Sequence, residues 1–236
     1  MFKDFLSSLF DPLVRIDRGR QKALGDPALP AELHDFYARP LPKAQTNLNT
    51  LKIVSIDFET TGLDFAKDTV LSIGGVSIVN GNIAFETAFH TLLKSDAPIN
   101  GATAVINQIT PEQLQQGADP HEAMLQLMDR LSGGVVLTHC AVIESSFLRA
   151  ALQIPAKFPL PMYFLDTLQL ERTLLHSATN EDVRLSQIRL RRGFPAYEAH
   201  NALADSLATA EVFLAQLKDL FGHDKPLLGP VYRRSH

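Results

Sequence analysis

The segment Ile53-Val54-Ser55-Ile56-Asp57-Phe58-Glu59 constrains this chain more than any other. Its β-branched apolar run reads as a buried strand. Alternate residues of a strand share a face, so Asp57 and Glu59 point one way and Phe58 the other. Like charges raise each other's pKa, and desolvation pushes in the same direction. A divalent cation removes that conflict. Oxygen donors with no His/Cys set beside them suit magnesium or manganese better than zinc. A strand end whose acids simply reach solvent is the ordinary alternative, so the pair needs partners elsewhere in the chain.

Two segments supply them. The apolar stretch Val135 to Thr138 runs into His139-Cys140-Ala141-Val142-Ile143-Glu144, a strand leading into a helix. Near the C-terminus His200-Asn201-Ala202-Leu203-Ala204-Asp205 opens a helix with Leu203, Leu207, Leu214 and Leu217 along one stripe. With Asn201 as N-cap, His200 lies outside the helix and Asp205 in its first turns, so both can converge on one point. Asp57, Glu59, Glu144, Asp205 and His200 are then four acids and a base around one site.

These three blocks resemble the motifs of the DEDDh 3′-5′ exonucleases, the family of the proofreading epsilon subunit of bacterial DNA polymerase III. The resemblance covers roughly residues 50 to 218. Asp57, Glu59, Thr60, Thr61 and Gly62 match the first motif, and His200 and Asp205 the third, with the spacing of the "h" branch. The sister branch has a Tyr where Asn201 stands. The second motif departs: the family's His-Asn-Ala-x-x-Asp becomes His139-Cys140-Ala141-x-x-Glu144, longer by one C–C bond of ~1.5 Å. Asn107-Gln108-Ile109-Thr110 likewise replaces a His-Gly-Ile-Thr found in a substrate-side loop of many relatives.

The resemblance implies two-metal hydrolysis of the terminal phosphodiester at a 3′ end, with two Mg2+ or Mn2+ ions. Asp57, Glu59 and Asp205 would hold one ion, and Asp57 with Glu144 the second; such pairs clamp both oxygens of an in-line displacement. His200 would act as general base, its reference pKa near 6.5 leaving a neutral fraction at physiological pH. Thr60, Thr61, Gly62 and His139 are the implied substrate contacts, with Gly62 permitting close approach of the terminal nucleotide. The expected substrate is single-stranded nucleic acid, DNA favoured, in proofreading or repair. RNA trimming and a catalytically weak nuclease-fold binding protein stay as alternatives.

The rest of the chain bounds this reading. Its 236 residues hold one good-sized core with room for an appendage. A single cysteine excludes an internal disulfide framework and fits the cytoplasm. Neither a secretory leader at Met1 to Leu6 nor a run of about twenty apolar residues is found, so no membrane association is expected. A net charge of −4 argues against a broad DNA-coating surface, which a nuclease gripping a strand end does not need.

Residues 1–50 read as a helical extension and linker, 51–220 as the exonuclease domain and 221–236 as a tail. Within the domain, strands are expected at Lys52–Phe58, Val70–Val79, Ile83–Leu93, Val135–His139 and Tyr163–Leu165, with an Asn80-Gly81 hairpin turn. Helices are expected from Asp119 to Leu131, from Glu144 to Gln153, from Thr167, from Asp182 and up to Leu220. Strands on short turns followed by alternating strands and helices give an α/β mixed sheet with flanking helices. The resemblance implies the ribonuclease H-like order, with the first strand central. Residues 1–50 would pack on the domain or dock a protein partner.

Several residues have competing readings. Asp166 rivals Glu144 as the fourth acid, though Asp166-Thr167 ahead of Leu168 reads first as a helix N-cap. Cys140 reads as a small packed thiol. Arg184, Arg189, Arg191 and Arg192 divide evenly between ion pairs on a solvated helix and contacts to phosphates. His90, His121 and His176 read as surface or structural.

Overall fold

The computed structural model describes residues 11–95, 109–175 and 181–236. Strands β1 (Ile53–Thr60), β2 (Val70–Val79), β3 (Asn82–Leu92), β4 (Val135–Thr138) and β5 (Tyr163–Asp166) form one sheet in the order β3-β2-β1-β4-β5. The first strand is central, as expected. It pairs antiparallel with β2 and parallel with β4, and β4 pairs parallel with β5. The Asn80-Gly81 turn joins β2 to β3 with both residues at positive φ, +52° and +73°, the backbone that a two-residue hairpin requires.

The helices are α1 (Pro12–Leu24), α2 (His34–Ala38), α3 (Pro111–Gln115), α4 (Pro120–Leu131), α5 (Val142–Ala151), α6 (Thr167–Leu174), α7 (Leu185–Arg191), α8 (Ala202–Phe221) and α9 (Leu228–Arg234). Local chemistry sets many of the starts. Asp119, Asp166 and Asn201 each accept a backbone N–H from the first turn they precede. The helix expected from Asp182 starts later, at Leu185: Asp182 instead accepts the backbone N–H of Arg184 at 3.0 Å and holds the chain extended there.

Period-two alternation divides β1 between two layers. Val54, Ile56 and Phe58 pack with Met124, Leu127 and Met128 of α4 and Phe147 and Leu148 of α5. On the opposite face Ile53 packs with Phe213 and Leu217 of α8, and the Ser55 hydroxyl donates to the Ser206 carbonyl of α8 at 2.7 Å. Asp57 and Glu59 continue this second row, so the face that carries the acids is the one α8 covers.

Residues 11–50 and 221–236 join these cores. Leu13 of α1 lies with Tyr163 and Tyr232, while Ala23, Leu33 and Tyr37 lie with the α4 and α5 residues. The Tyr37 hydroxyl donates to the Pro159 carbonyl at 2.9 Å. Residues 221–236, read above as a tail, include α9, whose Leu228, Val231 and Tyr232 are buried. Its approach is pinned by backbone bonds between residues 44–48 and 226–229. The apolar residues of these segments are too sparse to form cores alone, so they share the sheet's. Among the described residues no helix is long and apolar enough to cross a membrane.

Candidate active site

At the carboxyl end of β1, one oxygen each from Asp57, Glu59 and Asp205 lies within 4.8 Å of the others. Gly74 brings Asp205 there. It is the β2 partner of Asp57 in the ladder, and a Cβ at Gly74 would fall 2.1 Å from the Ala202 carbonyl carbon and the Leu203 nitrogen. The missing side chain lets the first turn of α8 rest on the sheet. Asn201 caps that turn through its side chain, and His200, at φ +64°, turns the chain into it.

Glu144, in the first turn of α5, is 2% exposed, and its Oε2 has no hydrogen-bond partner. Burial drives the Asp57 carboxyl well above the usual range, and the charges of Glu144, Asp205 and Glu59 add to the shift. Glu144 moves the same way, chiefly through burial. Burial and then the Asp205 charge push Glu59 up to about 7. Three acids that resist ionising together, one with an orphaned oxygen and all beside the Asp205 carboxylate, fit a hard divalent cation, which neutralises charge and takes oxygen ligands.

Asp205 is held from three sides. Its Oδ2 accepts the backbone N–H groups of His200 at 2.7 Å and Asn201 at 3.2 Å, and its Oδ1 accepts the Tyr197 hydroxyl at 2.6 Å. Beside the cluster opens a cleft of about 370 Å³ lined by Glu59, Ser72, His90, Ile109, Gln113 and His200, among others. His200 is exposed there.

The family model described as exonuclease matches residues 54–213, a span that includes every one of these acids. The chain belongs to the exonuclease family. A PolC-type DNA polymerase III of Thermotoga petrophila is 32% identical over 161 residues, 68% of this chain and 11% of that protein. An epsilon-like protein of Rhodobacter capsulatus is 32% identical over 190 residues, 80% of this chain and 27% of its own length. This exonuclease chain therefore spans well under a third of both relatives. Among solved structures, E. coli Exonuclease I in complex with a dA16 oligonucleotide superposes with a TM-score of 0.61 at 16% identity, over 72% of this chain and 41% of its own. At that identity the likeness is one of fold.

Within the exonuclease fold, not every residue singled out above reaches the cluster. Asp166 is taken up by the backbone: Oδ1 accepts from Cys140 and Leu168 and Oδ2 from Ala141, at 2.9–3.0 Å. It ties the second-motif turn to α6. His139 is likewise committed, with Nδ1 on the Thr167 hydroxyl at 2.8 Å and Nε2–H donating to the Val183 carbonyl at 3.0 Å. Neither ring nitrogen is free for the substrate contact expected of it. The Thr60 hydroxyl donates to the Gly62 carbonyl and the Thr61 hydroxyl to Asp68, at 2.7 and 2.9 Å. A Cβ on Gly62 would strike the Asp68 carboxylate at 2.5 Å. These contacts shape the loop that follows β1.

Each arginine of the segment meets a carboxylate, while Arg184 stays exposed. Arg184 pairs with Asp182, Arg189 with Glu211, Arg191 with Glu171 and Glu181, and Arg192 with Glu171 and Asp219. His90, read as surface or structural, is exposed and lies on the wall of the cleft. Asn107 and Gln108 lie outside the described residues, while Ile109 of the same loop reaches the cleft. Gly74, Ser72 and Tyr197 escaped the sequence reading. A Gly-Gly pair inside a strand was a signal for Gly74; nothing local marked the other two.

Proposed function

We propose that the protein is a 3′-5′ exonuclease that releases mononucleotides from the 3′ end of single-stranded DNA, using two Mg2+ or Mn2+ ions. The observation that carries this reading is the convergence of Asp57, Glu59 and Asp205 on one point, with the buried, unpartnered Glu144 oxygen in electrostatic reach of Asp57. Asp57, Glu59 and Asp205 would hold one ion, and Asp57 with Glu144 the other. Bound there, the cations supply Lewis-acid activation of a water and charge stabilisation at the departing oxygen.

The chain's own groups supply the rest. His200 stands at the cleft edge, and its imidazole accepts the proton of the attacking water. The cleft walls, with Ile109 as an apolar contact and Ser72 and Gln113 as polar ones, receive the terminal nucleotide and hold its phosphodiester toward the acids. The backbone of Thr60 to Gly62 lets that nucleotide approach closely. Exonuclease I, whose fold this chain shares, is in complex with a deoxyadenosine oligonucleotide, which supports DNA over RNA. We assign residues 51–220 to the exonuclease unit, with 1–50 as its N-terminal extension, of which 11–50 buttress it together with 221–236, and place its action in DNA proofreading or repair within the cytoplasm.

The deciding experiment incubates the full chain with single-stranded DNA and RNA of one sequence, labelled at either end, in Mg2+, Mn2+ or chelator. Progressive loss of 3′ nucleotides from DNA, abolished by chelator, is expected. Cleavage of a closed circle, or undiminished activity in chelator, overturns the reading. Preferential digestion of RNA overturns the substrate assignment.

A further inference from the structure

We propose that Tyr197 is a positioning residue for Asp205, aiming its single free lone pair into the carboxylate cluster. The inference rests on the divalent-cation reading above and extends it to a residue outside the three motifs. A carboxylate offers about four lone-pair sites. Two backbone N–H groups occupy Oδ2 of Asp205, and the Tyr197 hydroxyl occupies one site on Oδ1. One site on Oδ1 is left for a cation, and the direction of the tyrosine contact decides where it points.

Tyr197 is itself braced. Its ring lies 4.7 Å from the guanidinium of Arg189, which also faces the Phe194 ring at 5.1 Å. Arg189 is 5% exposed, pairs with Glu211 on α8 and donates to the Pro195 carbonyl at 3.2 Å. A buried cation stacked on an aromatic face is attractive and directional. Arg189 thus spans α7, the 194–197 loop and α8, the helix that also carries Asp205. Tyr197 and Asp205 are set by one frame, so the 2.6 Å contact needs no ordering of a loose loop. Outer contacts of this kind change metal affinity by about ten- to a hundredfold when lost.

The test is a calorimetric Mn2+ titration of the full chain without nucleic acid, comparing wild type with Tyr197→Phe, Asp205→Asn, the double variant and Asp57→Ala. Phe keeps the ring and its stacking on Arg189 and removes only the hydroxyl; circular dichroism verifies the fold. Tyr197→Phe is expected to bind Mn2+ about ten- to a hundredfold more weakly. In the Asp205→Asn background the same change should add no further loss, because Tyr197 acts through Asp205. Wild-type affinity in folded Tyr197→Phe overturns the proposal, as does an equal further loss in the double variant. If wild type binds no Mn2+, or Asp57→Ala binds it normally, the cation reading itself falls and this proposal with it. Impaired Asp57→Ala beside unimpaired Tyr197→Phe removes Tyr197 alone.

Discussion

Replacing Gly74 with Ala should disable the site while leaving the protein folded, although residue 74 carries no functional group. The new Cβ would lie 2.1 Å from the Ala202 carbonyl carbon and the Leu203 nitrogen and 2.3 Å from the Ala202 oxygen. Carbon contacts relax at about 3.5–4.0 Å, so the first turn of α8 must withdraw by roughly 1.5 Å, against backbone that cannot rotate aside. Further along α8, Phe213 and Leu217 stay seated in the core, which confines the movement to the turn bearing Asp205. Overpacking of this kind costs about 1–3 kcal/mol. For a chain of this size that lowers Tm by about 2–12 °C, within the ~5–15 kcal/mol that a domain can spare.

The effect on chemistry is larger. A displacement of ~1 Å from productive geometry costs about a hundredfold in rate, and Asp205 is three residues beyond Ala202 in the same turn. Turnover of a 3′-labelled oligonucleotide at fixed Mn2+ should therefore fall about a hundredfold, with the far-ultraviolet dichroism retained. Gly25→Ala is the control, because the nearest atom to its added carbon is the Lys22 oxygen at 3.8 Å. Wild-type turnover by Gly74→Ala would show that the approach of α8 to β2 does not set the site.

Glu144→Gln should lose most turnover without loss of fold, whereas Glu144→Asp should stay active; a near-normal rate for Glu144→Gln removes it from the site. Asp166→Asn should instead lower Tm, since it weakens acceptors for three backbone N–H groups, each charged hydrogen bond being worth about 1.5–3 kcal/mol; an unchanged Tm contradicts this. Cys140 sits at φ +82°, a region that Asn tolerates better than Cys, so Cys140→Asn should raise Tm, by up to about 1 kcal/mol of stability; a lowered Tm measured by calorimetry refutes the strain. Finally, Glu59 rises from 4.5 to about 7 in the fold, and Asp57 and Glu144 move in the same direction. The protonated forms are the ones the fold favours, so the Glu59 and Glu144 contributions are complete below pH 4.5 and are lost as pH rises through about 7 and about 8. Tm in chelator should fall across that window and recover on adding Mn2+; a rising Tm would show that the acids ionise without strain.

The reaction class was written in local chemistry. Two acids two residues apart on an apolar strand, an acid opening each of two helices and an Asn to cap the second are short-range patterns, and each formed where the residues indicated. Asn80-Gly81 and the Asp119-Pro120 helix start likewise depend on the φ preferences and side-chain oxygens of the residues themselves. What depended on contacts between distant segments was decided only by the fold. Asp166 and Glu144 are both acids at helix starts. Only the parallel pairing of β5 with β4, which sets Asp166 opposite Thr138, committed one to three backbone N–H groups, and the fold left the other with an empty oxygen. The four arginines before the third motif carry one charge each whether they meet phosphate or carboxylate, and it was the placement of Glu171, Glu211 and Asp219 that paired three of them inward. Residues 221–236 looked like a tail because their apolar side chains are few, yet a shared core needs only a few from each contributor. Gly74 and Tyr197 both meet the first turn of α8, one from a distant strand and the other from the loop before it; the Gly-Gly pair marks a close approach at Gly74 without naming what approaches, and nothing around Tyr197 encodes its contact.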